Sequence, residues 1–132
     1  MSAADEMKDK LGPALCLAKW KQVSLHLPTG LNNSCYHPPL HKINIEDIKK
    51  NPSALHNTGE KKEERKLMLK GERPAGCEYC WKIEDMGVDA VSDRVYKSKI
   101  YPIKALHDIH STPASADVAL RTLEIAFDRT CQ

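Results

Sequence analysis

The chain has 132 residues, enough for one domain, yet only 5% are aromatic, with a single Phe, and 29% are charged. A core that poor needs a staple, and disulfides or a metal are the usual ones. The 20 basic and 18 acidic residues leave a net charge of +2, too balanced to indicate a nucleic-acid surface, and no apolar run approaches the ~20 residues that cross a bilayer.

The first ten residues are polar and include acids, which a signal peptide does not. A cytoplasmic location is the expectation, and there cysteines bind metal or do chemistry more often than they pair as disulfides. Residues 1–13 read as a weakly helical lead-in ended by Gly12-Pro13. Val23 to Leu27 alternates apolar and polar residues, the mark of a half-buried strand. Pro28-Thr29-Gly30 and Asn32-Asn33 are turn residues, and Ser34-Cys35-Tyr36-His37 is the expected return strand before Pro38-Pro39. A hairpin follows, with Cys16 ahead of it and Cys35 on its second strand.

Asn44 is placed to cap a short helix with acids first and lysines last, ended by Asn51-Pro52. Ser53 can cap another start, with Gly59 as an interruption. Glu60 to Lys70 reads as a solvated helix, its charges an exposed face. Cys77 to Met86 is a helix that opens on Cys77-Glu78-Tyr79-Cys80, with Gly87 as its stop. That placement would let helix N-terminal N–H groups favour thiolates. Asp89 to Pro113 reads as loop, with an extended piece at Tyr96–Ile103. Leu123, Ile125 and Phe127 alternate with Glu124, Ala126 and Asp128 in a last strand. The fold class expected is α+β, a small β-hairpin plus short helices around a four-cysteine metal site, followed by a lone strand.

Four of the five cysteines, Cys16, Cys35, Cys77 and Cys80, are the candidate metal ligands. The CxxC step alone fits redox dithiols, zinc and iron–sulfur sites, but a redox dithiol expects a thioredoxin-like βαβ unit ahead of it, and none is visible. Zinc fits four thiolates, or a mixed site with His37 or His41. Structural zinc normally takes two close pairs, whereas Cys16 and Cys35 are 19 positions apart. Iron–sulfur clusters tolerate scattered ligands. The plain alternative is that Cys16 and Cys35 are buried as small hydrophobes. Trp20, Tyr79 and Trp81 flank the thiols and would keep water from a site there. His26 reads as a packed or surface residue, and His56, His107 and His110 have no partner pattern.

The order Cys16-x3-Trp20, His26 to Gly30, Cys35, Ile45 to Asn51, Arg65 to Pro74, Gly76-Cys77-x2-Cys80, Glu84, Gly87 and Ser92-x-Arg94 resembles the twitch-type auxiliary-cluster region of radical S-adenosylmethionine (SAM) proteins often seen in bacteriophage genomes. Two positions depart from that pattern: Lys19 stands where Pro is common, and Ser34 where a second Cys is common. Leu123 to Cys131 resembles the first strand of a radical SAM (β/α) barrel, which leads into a CxxxCxxC loop. The resemblance implies an auxiliary [4Fe-4S] cluster on Cys16, Cys35, Cys77 and Cys80. It makes Cys131 the first ligand of an incomplete SAM-cluster motif. The second [4Fe-4S] cluster and SAM itself, which that cluster cleaves to a 5′-deoxyadenosyl radical, would belong to a full-length parent.

The implied organisation is a lead-in (1–13), a twitch-like cluster region (14–98), a linker (99–117) and the start of a truncated radical SAM domain (118–132). Its expected partner is a missing C-terminal barrel, its location the host cytoplasm if phage-encoded, and the chain alone is not expected to carry out the radical reaction. A zinc-stapled, non-enzymatic interaction module using the same cysteines is the rival reading.

Overall fold

Strand β1 (Gln22–His26) is the centre of the molecule, buried along most of its length. The computed structural model describes residues 2–35 and 37–127, and among these it is α+β, with seven α-helices and a mixed four-stranded sheet in the order β3-β2-β1-β4. Strand β2 (Leu31–Asn33) runs antiparallel to β1, and β3 (His41–Lys42) antiparallel to β2. The hairpin turns at Gly30, whose φ of 68° suits a residue without a Cβ. The return strand thus ends before Ser34, and Cys35 lies just beyond the sheet rather than on it. The prolines that follow, which have no N–H for a ladder, come too soon for a longer strand.

Strand β4 (Thr122–Ala126) pairs with β1 in parallel, from Gln22 opposite Thr122 to His26 opposite Ala126. The last strand therefore finds its neighbour in the hairpin itself. A parallel pair needs a long crossover, and five helices fill it: α3 (Ile45–Lys50), α4 (Gly59–Leu69), α5 (Glu78–Glu84), α6 (Asp93–Lys99) and α7 (Ile103–His110). Ahead of β1 stand α1 (Ala3–Leu11) and the single turn α2 (Ala18–Lys21).

Local chemistry accounts for most boundaries. The lead-in is a full helix because Ser2 and Asp5 close a capping box, and Gly12 ends it at φ 70°. Asn44 caps α3 as its sequence suggests, its Oδ1 accepting from the N–H groups of Glu46 and Asp47. A 3-10 turn (Pro52–Leu55) follows, capped by Asn51 and not by Ser53. Thr58 caps α4, so Gly59 opens that helix instead of interrupting one. The segment expected as loop holds α6 and α7. Ala105, Leu106 and Ile109 of α7 join Leu11, Leu15, Leu17, Trp20, Met68, Val95 and Tyr101 in the principal core. Residues 99–117 thus include part of that core.

The largest departure from the sequence reading is α4. Lys61, Arg65 and Met68 follow the 4-then-3 spacing of one helix face, and that face is buried, with Lys61 and Arg65 at 0% exposure. Arg65 Nε donates to the Lys19 carbonyl (2.9 Å) and its NH1 to Asn57 Oδ1 (2.8 Å). Lys61 Nζ donates to the Gln22 carbonyl and to His56 Nδ1, both at 2.9 Å. His56 Nε2, 2.8 Å from the Trp20 carbonyl, therefore carries the ring proton. Burial, then the neighbouring Arg65 and Lys19, push the Lys61 amine down to about 6. It is uncharged at neutral pH, with two N–H groups for its two acceptors.

A second buried cation closes the opposite side. Arg94 grips Glu84 through Nε (2.6 Å) and NH2 (2.8 Å), and donates to the carbonyls of Leu15 (2.7 Å) and Gly12 (2.8 Å). Ser92 Oγ also donates to Glu84, at 2.5 Å. Burial opposes the Glu84 charge, but Arg94 and Ser92 outweigh it and hold the carboxyl below its usual range. Among the described residues no helix is long and apolar enough to cross a membrane. Removing one partner of a buried pair leaves the other charge uncompensated. Arg94→Ala should therefore lower stability by about 3–5 kcal/mol in urea unfolding. Lys104→Ala, which breaks the exposed pair with Asp108, should leave the midpoint in place. Equal effects would contradict this division.

Candidate metal centre

The four cysteines arrive from three separate stretches of chain. Cys16 lies on the irregular stretch between α1 and α2, and Cys35 just after β2. Cys77 ends a 3-10 turn (Ala75–Cys77), and Cys80 sits in the first turn of α5. All are free thiols. All four line one narrow cavity, together with Lys19, His37, Trp81 and Arg94. Cys35 and Cys80 are buried, at 8% and 6% exposure.

The walls are tied to one another. His37, two residues after Cys35, stacks on Tyr79, between Cys77 and Cys80, with ring centroids 3.9 Å apart and planes 10° from parallel. His37 Nε2 also meets Asp93 Oδ2 at 2.6 Å. This stack fastens the Cys35 loop to the CxxC step. Trp81 is anchored by its Nε1, which donates to the Pro74 carbonyl at 2.7 Å, and lies with Cys80 and Ala14 in a small second core. Of the aromatic cover expected from the sequence, Trp81 lines the cavity, Tyr79 backs His37, and Trp20 lies in the principal core. His41 is engaged elsewhere, by Thr58 Oγ1 (2.9 Å) and Glu60 (3.4 Å).

Burial dominates the electrostatics. It pushes Cys16 up to about 12, helped by the neighbouring Cys35 and Cys77 sulfurs. It pushes Cys77 up to about 11, against the pull of Lys19. Cys35 and Cys80 are raised for the same reason. The helix start therefore does not make Cys77 and Cys80 thiolates in the metal-free chain. The backbone N–H groups of Ala18, His37 and Arg94 pull the other way at Cys16, Cys35 and Cys80, favouring the thiolates. A bound metal would offset the burial.

The donor chemistry suits a thiophilic centre. Among the described residues, however, no group of three or more His, Cys, Asp or Glu side chains is arranged to hold a metal ion as it stands. A single zinc would need every sulfur about 2.3 Å from one point. Cys131 lies outside the described residues. The chain matches no protein-family model, no curated protein and no solved structure.

Sequence reasoning missed Lys19 and Arg94 as walls of this cavity. Arg94, Glu84 and Ser92 stood together in the motif order without an assigned role, and the fold joins them into one buried network.

The titrations of the metal-free chain oppose each other across the pH range. Lys61 binds its proton less readily folded than unfolded, so stability should rise from about pH 6 towards its unfolded value of 10.5. The thiols hold theirs more tightly folded, so stability should fall once unfolded thiols ionise near 9.0. Urea midpoints of the metal-free chain should therefore climb from pH 6 and drop above pH 9. Lys61→Met should flatten the climb and spare the drop. A midpoint that falls steadily from pH 6 would contradict the Lys61 assignment, and one that keeps climbing above pH 9 would contradict the thiol assignment.

Proposed function

We propose that the chain is a [4Fe-4S]-binding region, with Cys16, Cys35, Cys77 and Cys80 as ligands, and that it serves as the auxiliary-cluster part of a radical SAM protein. One observation carries the cluster reading: four free thiols from three separate segments line a single narrow cavity. In a cluster each thiolate bonds its own iron, so the sulfurs need not meet at one point. A single zinc would instead need all four sulfurs about 2.3 Å from one point.

A bound cluster would supply a one-electron redox centre. The protein's own part is to hold it. Cys77 and Cys80 come from one step, and Cys16 ahead of α2 and Cys35 after β2 complete the set. The backbone N–H groups of Ala18, His37 and Arg94 favour the Cys16, Cys35 and Cys80 thiolates, and hydrogen bonds to cluster sulfurs tune the potential. Trp81 and the His37–Tyr79 stack keep water away. The radical SAM assignment rests on the motif order over residues 14–98 and on Leu123 to Cys131. Within it, SAM and the catalytic cluster would belong to the parent's barrel.

The chain purified without oxygen and supplied with iron and sulfide should be brown and hold four irons and four sulfides. Cys77→Ser or Cys80→Ser should abolish that uptake, and Cys131→Ser should leave it intact. A colourless chain holding one zinc through the same thiols would replace this reading with the interaction module.

A further inference from the structure

Lys19 is an unusual residue to bury. It is 2% exposed and lines the thiol cavity. Its Nζ meets Glu64 Oε1 at 3.1 Å. The Glu64 carboxylate is the partner of this buried ammonium. The pair is lopsided. Glu64 lines a different, open groove beside Pro38, Pro39 and Gly76, and its side chain is 22% exposed. Water screens the carboxylate, while the ammonium faces sulfur in a dry interior where charges act strongly.

The other charges of the cavity are arranged differently. Arg94 spends its guanidinium on Glu84 and two backbone carbonyls. Asp93 is occupied by His37 and is 38% exposed. Lys97, on the same helix, is only partly buried. Lys19 is a fully buried cation of this cavity whose counter-charge, Glu64, lies in the neighbouring groove beside Gly76.

We propose that Lys19 is not a ligand but the residue that sets the reduction potential of the centre held by Cys16, Cys35, Cys77 and Cys80, with Glu64 trimming its effect. This rests on the cluster reading above. Reduction adds one negative charge to a centre that four thiolates already make negative. A fixed ammonium stabilises the reduced form more than the oxidised one and raises the potential. Glu64 acts in the opposite sense.

The test is a redox titration of the full 132-residue chain reconstituted with iron and sulfide, followed by the visible spectrum and by the paramagnetic signal of the reduced form. Lys19→Gln should make the centre harder to reduce, by about tenfold in the oxidised-to-reduced ratio at the wild-type midpoint, or about 59 mV for one electron. Glu64→Gln should shift the midpoint the other way, and Lys19→Arg should stay near wild type. A packing role for Lys19 would not produce shifts of opposite sign from the two members of one pair. If Lys19→Gln fails to fold, Glu64→Gln decides alone: an upward shift supports the assignment, and none overturns it. A brown wild-type chain whose midpoint ignores both substitutions sinks this inference and leaves the cluster reading standing. A wild-type chain that takes up no iron and sulfide sinks both.

Discussion

Backbone carbonyls between Gly12 and Gln22 have to be satisfied inside the protein, and the structure is organised around doing so. The single turn α2 satisfies only the carbonyls of Cys16, Leu17 and Ala18 from within the stretch, and buried carbonyls left unpaired are costly. Side chains supply the donors. Arg94 serves Gly12 and Leu15, Arg65 serves Lys19, His56 serves Trp20 and Lys61 serves Gln22. Cys16 sits in the middle of the stretch and Lys19 at its turn. The polar scaffold that holds the stretch in place is therefore what presents the first thiol and its cation to the cavity.

The same scaffold explains how a chain with 5% aromatic residues makes a core. Its single Phe, Phe127, is 74% exposed and contributes little. Lys61, Arg65 and Arg94 occupy interior volume that larger apolar residues would otherwise fill, and their long stems pack as hydrocarbon. The cost is a set of buried bases whose charge depends on their neighbours. Lys61 resolves it by giving up its proton, and Arg94 by a two-pronged grip on Glu84.

Much of the outline was readable in the residues. The alternation at Val23 to Leu27 and at Leu123 to Phe127 marked β1 and β4, and Asn44 marked the start of α3. What failed was reading charge as exposure. Arg65 and Lys61 share a face with Met68, but a face whose partners are carbonyls has no hydropathy signal. Helix α6 was hidden for the same reason, since Arg94 and Ser98 are two of its three buried residues. Helix α7 did carry a signal, in Ile103, Leu106 and Ile109 at helical spacing, and the basic loop reading passed over it. The return strand was placed too late because Cys35 is held by its loop and by the His37–Tyr79 stack, which alternation does not encode. The convergence of Cys16 and Cys35 on the CxxC step was expected only from the count and order of thiols, since no spacing rule joins positions that far apart.

Cys35 and Cys80 are buried and Cys16 and Cys77 half-buried, and all four are raised in pKa, with neighbouring thiols adding to the rise at Cys16, Cys35 and Cys77, so they belong to an interior site and not to a reactive surface. The most direct test of a single shared centre is cysteine alkylation mapped by mass spectrometry. It would be done after loading with iron and sulfide, in urea just strong enough to unfold the metal-free chain, so that burial alone protects nothing. Cys16, Cys35, Cys77 and Cys80 should resist together and become reactive together when a chelator strips the metal. Labelling of any of the four in the loaded chain at its rate in the stripped chain would contradict a four-thiolate centre.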